Sequence, residues 1–222
     1  MKVKICGLTS LEDALQAADA GADLLGFNFY PPSPRYLTAN QCSSIITGLQ
    51  EHGVQITTVG IFVNTSPREI ARVLDGCGLD LAQLSGDEPP EDLQALGERA
   101  FKALRSGKAR DLQESLHHYR SRKNPPAYLV DAYLAGEYGG TGQTADWRLA
   151  RNLSKEQPIL LAGGLTPANV QRAIAQVQPW GVDVASGVET SRGRKDAQKI
   201  RAFIHAARQQ DDALNPAQES KR

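Results

Sequence analysis

Lys4-Ile5-Cys6-Gly7-Leu8 runs an apolar strand into a polar residue and then a glycine turn, and the same unit recurs down the chain. Apolar runs at residues 3–6, 24–29, 57–63, 79–84, 101–104, 128–131, 159–162 and 182–186 are mostly rich in Val, Ile, Leu or Phe. Each predicts a strand buried on both faces, as in a parallel sheet covered by crossover helices. Segments of helical period lie between them. Leu11, Ala14, Leu15 and Ala18 follow i, i+3, i+4, i+7, as do Val170, Ala173, Ile174 and Val177, and Ile200, Phe203, Ile204 and Ala207 repeat the pattern. The run at 101–104 is the weakest strand, and residues 112–119 are only moderately helical. With Met1 just ahead of it, Cys6 is expected at the opening of the fold.

Start signals support the helices. Ser66-Pro67-Arg68-Glu69 combines an N-cap, a proline at the first helical position and a Glu able to close a capping box. Thr38-x-x-Gln41 and Thr166-Pro167 carry parts of the same signal. Gly21, Gly53, Gly78 and Gly181 mark helix ends or turns into the next strand. Alternation without a linker-like break predicts one domain, a closed (β/α)₈ barrel, with an open doubly wound sheet as the alternative. The barrel is expected over residues 1–208. Residues 209–222, polar from Gln209 onward, are expected to form a frayed tail.

Composition narrows the class. Among 222 residues Lys+Arg and Asp+Glu are both 25, which argues against a nucleic-acid-binding surface. No run approaches the ~20 apolar residues of a membrane span, and no leader-like apolar segment precedes the first strand. Cys6, Cys42 and Cys77 form no C-x-x-C pair, and their odd number suits a reducing, cytoplasmic setting. Cys42 and Cys77 fall in helical stretches and read as packing residues. His52, His117, His118 and His205 fall in helices or helix-end turns, so no metal cluster or redox cofactor is expected at strand ends.

In such barrels active sites lie at the C-terminal ends of the strands, which singles out the polar residues there. Cys6 is either an inert buried thiol or, with a lowered pKa, a base or nucleophile. If it faces the barrel interior, so does Lys4, two residues earlier. An inward lysine needs a carboxylate, and Asp183 on the last strand is the candidate; such a pair would help hold a Cys6 thiolate. Asp131 ends the sixth strand, either as a turn cap or as a partly desolvated carboxyl able to donate a proton. Gly139-Gly140-Thr141-Gly142, Gly163-Gly164 and Ser186-Gly187 are tight turns that could also offer amides to an anion. The pair after strands seven and eight matches the usual phosphate location, while Gly140 and Gly142 belong to the turn after strand six. No P-loop motif occurs. Pro31-Pro32-Ser33-Pro34-Arg35-Tyr36 is a stiff loop in which Arg35 is either solvated or held over the mouth to clamp a carboxylate.

Taken in order, the motifs resemble the phosphoribosylanthranilate isomerase family. They are Lys4-Ile5-Cys6-Gly7, Ser33-Pro34-Arg35, Gln83-Leu84-Ser85-Gly86-Asp87-Glu88, Gly139-Gly140-Thr141-Gly142 with Asp146-Trp147, Ala162-Gly163-Gly164-Leu165 and Asp183-Val184-Ala185-Ser186-Gly187-Val188-Glu189. The resemblance implies a cofactor-free Amadori rearrangement of a phosphosugar substrate in tryptophan biosynthesis, by a monomer or homodimer. It implies Asp131 as general acid, Cys6 as general base, Arg35 on the anthranilate carboxylate, and phosphate held by Gly163, Gly164, Ser186 and Gly187. Three positions depart from the family pattern: Ser85 where a histidine is usual, Ala145 for a phenylalanine and Ala185 for a serine. A HisA-like isomerase would show matching phosphate turns in both halves, which Val63-Asn64-Thr65 and Ser85-Gly86 do not provide. An indole-glycerol-phosphate synthase would need a strand-end lysine, and Lys102 lies too early in its strand. A catalytically silent phosphate-binding barrel would need neither Cys6 nor Asp131.

Overall fold

The computed structural model describes residues 1–105, 116, 118–131 and 147–214. Its strands are β1 (Lys2–Cys6), β2 (Leu24–Asn28), β3 (Thr57–Phe62), β4 (Leu81–Leu84), β5 (Ala100–Arg105), β6 (Tyr128–Asp131), β7 (Ile159–Leu161) and β8 (Gly181–Val184). They close in chain order into a parallel barrel, sealed by β1 pairing with β8. This is the (β/α)₈ architecture; the open sheet is excluded. Even the weakest run is a full strand, because Phe101 faces inward while Ala100 and Leu104 are buried on the other face.

Period-two alternation divides the strand side chains between two cores. Val3, Ile5, Leu25, Phe27, Leu161 and Val182 point outward and pack with Ala14, Ile70, Ile174 and Phe203 of the helices. Leu24, Val59, Leu81, Phe101, Leu129 and Leu160 point inward and fill the lower barrel. Fully burying each such large side chain is worth roughly 1.5–3 kcal/mol. That inner apolar plug supports a polar layer above it.

Helices Leu11–Asp19, Ala39–Glu51, Pro67–Cys77, Pro90–Leu96, Trp147–Ser154, Val170–Val177 and Ala197–Leu214 flank the barrel. The capping box closes at Thr38 and Gln41. Ser66 caps its helix alone, while the Glu69 carboxylate faces Arg72. Past Thr166-Pro167 the α-helix begins at Val170, because Asn169 ties the intervening turn: its Oδ1 accepts from the Thr166 amide and its Nδ2 donates to the Gly164 carbonyl. The last helix runs to Leu214, past the Gln209 boundary expected from composition, since polar residues there leave the helical backbone intact. The remainder of the expected tail, and all but the end of the 112–119 stretch, lie outside the described residues. Cys42 and Cys77 are buried in helices, as expected of packing residues.

One addition was not anticipated. After β8 a short 3₁₀ turn, Ser186–Val188, leads into a two-stranded hairpin, β9 (Glu189–Ser191) and β10 (Arg194–Lys195). Its turn at Gly193 has φ +83, and a Cβ there would meet the Pro34 carbonyl at 2.9 Å. Thr9 Oγ1 donates to the Gly193 carbonyl at 2.7 Å. The hairpin therefore ties together the loops after β1, β2 and β8.

Candidate active site

Cys6 is the last residue of β1 and shares the inward face with Lys4. Gly26, its register partner on β2, makes room for it, because a Cβ there would stand 3.0 Å from the Cys6 sulfur. Lys4 is wholly buried and is paired in register with Asp183. Its Nζ donates to Asp183 Oδ1 at 2.8 Å and to Gln83 Oε1, across the barrel on β4, at 3.0 Å. The expected ion pair beneath Cys6 is present. Burial alone would lower the Lys4 pKa, but the Asp183 carboxylate and Cys6 outweigh it and the net direction is up.

For Cys6 the balance is different from the one expected. Burial pushes the thiol up more than Lys4 and Lys195 draw it down, and Asp183 adds to the rise. These surroundings favour the thiol, and the Lys4–Asp183 pair alone does not hold a thiolate.

Arg35 sits at the mouth, where the loop after β2 is braced by Ser33, whose Oγ accepts from the Arg35 amide and from Asn28 Nδ2. Gly7, at φ +72, lets the Arg35 stem lie over the end of β1; a Cβ there would be 2.3 Å from Arg35 Cδ. The guanidinium is not solvated. Its Nε and Nη2 both donate to Glu189 at 2.7 Å, a bidentate fork that raises the Arg35 pKa. Lys195 Nζ donates to the same carboxylate at 2.8 Å and to the Ala185 carbonyl at 3.1 Å. Burial would raise Glu189, yet Arg35 and Lys195 hold it below the ordinary glutamate value. Glu189 entered the sequence reading only as the end of a motif, with no role, and Lys195 not at all, because a short charged hairpin around a glycine reads as solvated. The turn at Arg192-Gly193 was the available signal.

Asp131 ends β6 on the face shared with the inward Leu129. Going round the barrel, β7 and β8 separate it from Cys6. Gly163 and Gly164 follow β7 with φ +94 and +64, conformations that glycine adopts without strain. Gly187 lies so close to the β7 turn that a Cβ would be 1.9 Å from the Leu165 carbonyl oxygen. Among the described residues the amides of Gly164, Ser186 and Gly187 donate no hydrogen bond, so three N–H groups remain for an anion. Gly140 and Gly142 lie outside the described residues. Ser85, at the end of β4, accepts from Gln83 Nε2 at 3.0 Å and so continues the Lys4–Gln83 chain. A cavity of about 520 Å³ lined by Ile46, Leu49, Val54 and Asp80 opens beside the starts of β3 and β4. It is at the end opposite the strand-end residues and plays no part in this site.

A mouth with a cysteine, an aspartate, a clamped arginine and paired glycine turns bears on a comparison with known proteins. The model of the family described as N-(5'phosphoribosyl)anthranilate (PRA) isomerase matches residues 3–206. The chain belongs to this isomerase family. Among curated PRA isomerases, that of Geobacter sulfurreducens is 48% identical over 208 residues, covering 94% of this chain and 98% of its own. The crystal structure of the phosphoribosyl anthranilate isomerase from Thermotoga maritima is 39% identical with a TM-score of 0.83, covering 94% of this chain and 99% of that one. Another PRA isomerase structure, in complex with reduced 1-(o-carboxyphenylamino)-1-deoxyribulose 5-phosphate, is 34% identical with a TM-score of 0.78, at the same coverage.

Proposed function

We propose that the protein isomerises N-(5-phosphoribosyl)anthranilate to 1-(2-carboxyphenylamino)-1-deoxyribulose 5-phosphate by general acid–base catalysis, as a step of tryptophan biosynthesis. The observation that carries this is the placement of Cys6 and Asp131 on inward faces at the ends of β1 and β6, with free-amide turns after β7 and β8 between them. Family membership supports the substrate.

The chemistry needs one proton donor and one acceptor whose pKa values are set apart. Asp131, as the acid, protonates the furanose ring oxygen while the anilino nitrogen lone pair opens the ring to a Schiff base. Cys6, as thiolate, then removes the C2 proton, and the resulting enolamine tautomerises to the aminoketose. Every proton taken is returned, so no cofactor enters. Phosphate on the Gly163–Gly164 and Ser186–Gly187 turns supplies binding energy remote from the reacting carbons. Arg35 holds the substrate carboxylate with the edge of its fork that Glu189 leaves open.

A turnover assay with freshly generated phosphoribosylanthranilate, following loss of its fluorescence, tests the proposal. Disappearance of the signal with formation of the aminoketose is expected. A folded protein that leaves the fluorescence unchanged overturns it.

A further inference from the structure

Five charged side chains surround the end of β1, and they do not cancel. Lys4 is matched by Asp183 at 2.8 Å, and Arg35 by Glu189 at 2.7 Å. Lys195 shares the Glu189 carboxylate at 2.8 Å, so within these ion pairs three cations face two carboxylates, while the buried Asp13 carboxylate is engaged by the Lys195 backbone amide. The Lys195 side chain is wholly buried. Desolvation penalises such a charge unless a further anion completes the set. The Cys6 thiol, uncharged as such, is near enough for the Lys195 charge to favour its ionisation.

The groups that face Cys6 come from each neighbouring element. Lys4 lies on its own strand, Asp183 on β8, Arg35 on the loop after β2 and Lys195 on β10, while β2 offers only Gly26. The hairpin is rigidly placed. The Lys195 amide donates to Asp13 Oδ2 at 3.2 Å, and Lys199 Nζ donates to the Glu189 carbonyl at 2.7 Å. Neither Glu189 nor Lys195 has a place in the acid–base chemistry above.

We propose that Glu189 and Lys195 are positioning residues of the active site: Glu189 aims the Arg35 fork, and Lys195 joins Lys4 as a positive charge against which Cys6 ionises. The thiolate then completes the charge set, so a half-buried sulfur can serve as a base although desolvation by itself opposes it. Glu189 acts in both directions, because it fixes Arg35 while screening Lys195. The consequences for turnover rest on the roles given to Cys6 and Arg35 above; the consequence for the thiol does not.

The test is the pH dependence of Cys6 alkylation by iodoacetamide in substrate-free protein, read by mass spectrometry, with the buried Cys42 and Cys77 as internal controls. Lys195→Met is expected to move the alkylation midpoint up by about one pH unit, the lower end of what a charge at this range does. Lys195→Arg is expected to restore it. Glu189→Gln is expected to move the midpoint down while raising KM roughly tenfold, opposite signs that a merely structural lesion would not give. If a single variant fails to fold, Glu189→Gln/Lys195→Met removes the charges as a pair, and should raise KM with a midpoint close to that of the unaltered protein. An unchanged midpoint in folded Lys195→Met, or an unchanged KM without the Glu189 carboxylate, overturns the proposal. Because alkylation needs no substrate, its outcome stands apart from any failure of the turnover assay.

Discussion

Cys6 and Asp131 hold the same kind of position on different strands, and the proposed chemistry asks opposite tasks of them. The Cys6 thiol is pushed up by burial and drawn back by Lys4 and Lys195, so its reactive form grows as pH rises. The acid limb of kcat/KM is therefore expected to climb with pH above the ordinary thiol range for the free enzyme. A limb that flattens at mildly acidic pH would contradict a thiolate base. Cys6→Ala and Asp131→Asn should each lose about 10²–10⁴ in kcat, the range for one acid or base. Stopped-flow turnover checks this, and near-normal rates in either variant would remove the assigned role. Gly7 belongs to the same scale: at φ +72, with Arg35 Cδ 2.3 Å from where a Cβ would be, it is the residue that lets the arginine approach the thiol.

At the scale of elements, the turns after β7 and β8 act together. Gly187 stands against the Leu165 carbonyl, a backbone atom that cannot swing aside. Gly187→Ala is expected to part the two turns and raise both KM and the inhibition constant of inorganic phosphate by tenfold or more, with kcat less affected. Equal phosphate inhibition of variant and parent would argue against a shared anion site. These elements were largely legible in the sequence, because strands buried on both faces appear as continuous apolar runs and the polar residue ending each run is conspicuous. Alternation even placed Lys4 inside and named Asp183 as its partner. What stayed hidden was long-range and charged. Nothing local indicates that Glu189 reaches 154 positions back to Arg35, or that Gln83 on β4 bonds Lys4. The hairpin that carries Glu189 and Lys195 has the composition of an exposed turn, and Thr190, Ser191, Arg192 and Arg194 are indeed exposed; only Glu189 and Lys195 turn inward, to Arg35 and the Ala185 carbonyl.

For the whole molecule, the polar layer links site chemistry to stability. Lys4→Met would leave Asp183 buried without its cation and is expected to cost about 3–5 kcal/mol, with Lys4→Met/Asp183→Asn recovering much of it. Chemical denaturation measures both, and a Lys4→Met protein as stable as its parent would show that the pair is dispensable. The pH profile follows from the directions of the shifts. Glu189 is depressed, so its contribution is complete above the ordinary glutamate value of 4.5 and fades as pH falls through its lowered folded value. Lys4 is raised, so its contribution is complete below 10.5 and fades as pH rises through its folded value. Thermal unfolding midpoints should thus decline on both flanks, and Glu189→Gln should flatten the acid flank alone.

The seam between β1 and β8 joins the beginning of the chain to its far end, with 179 positions between Lys4 and Asp183. During synthesis at about 5–20 residues per second, the lysine and the thiol leave the ribosome ten to several tens of seconds before the carboxylate that neutralises one and the hairpin that charges the other. Until then β1 has only β2 to pair with, and its most reactive side chain has no finished surroundings. A chain released before β8 would lack Asp183, Glu189 and Lys195 together. Such a product could neither close the barrel nor ionise its thiol in the intended field, so translation to the last strand is the event that both shuts the fold and arms it.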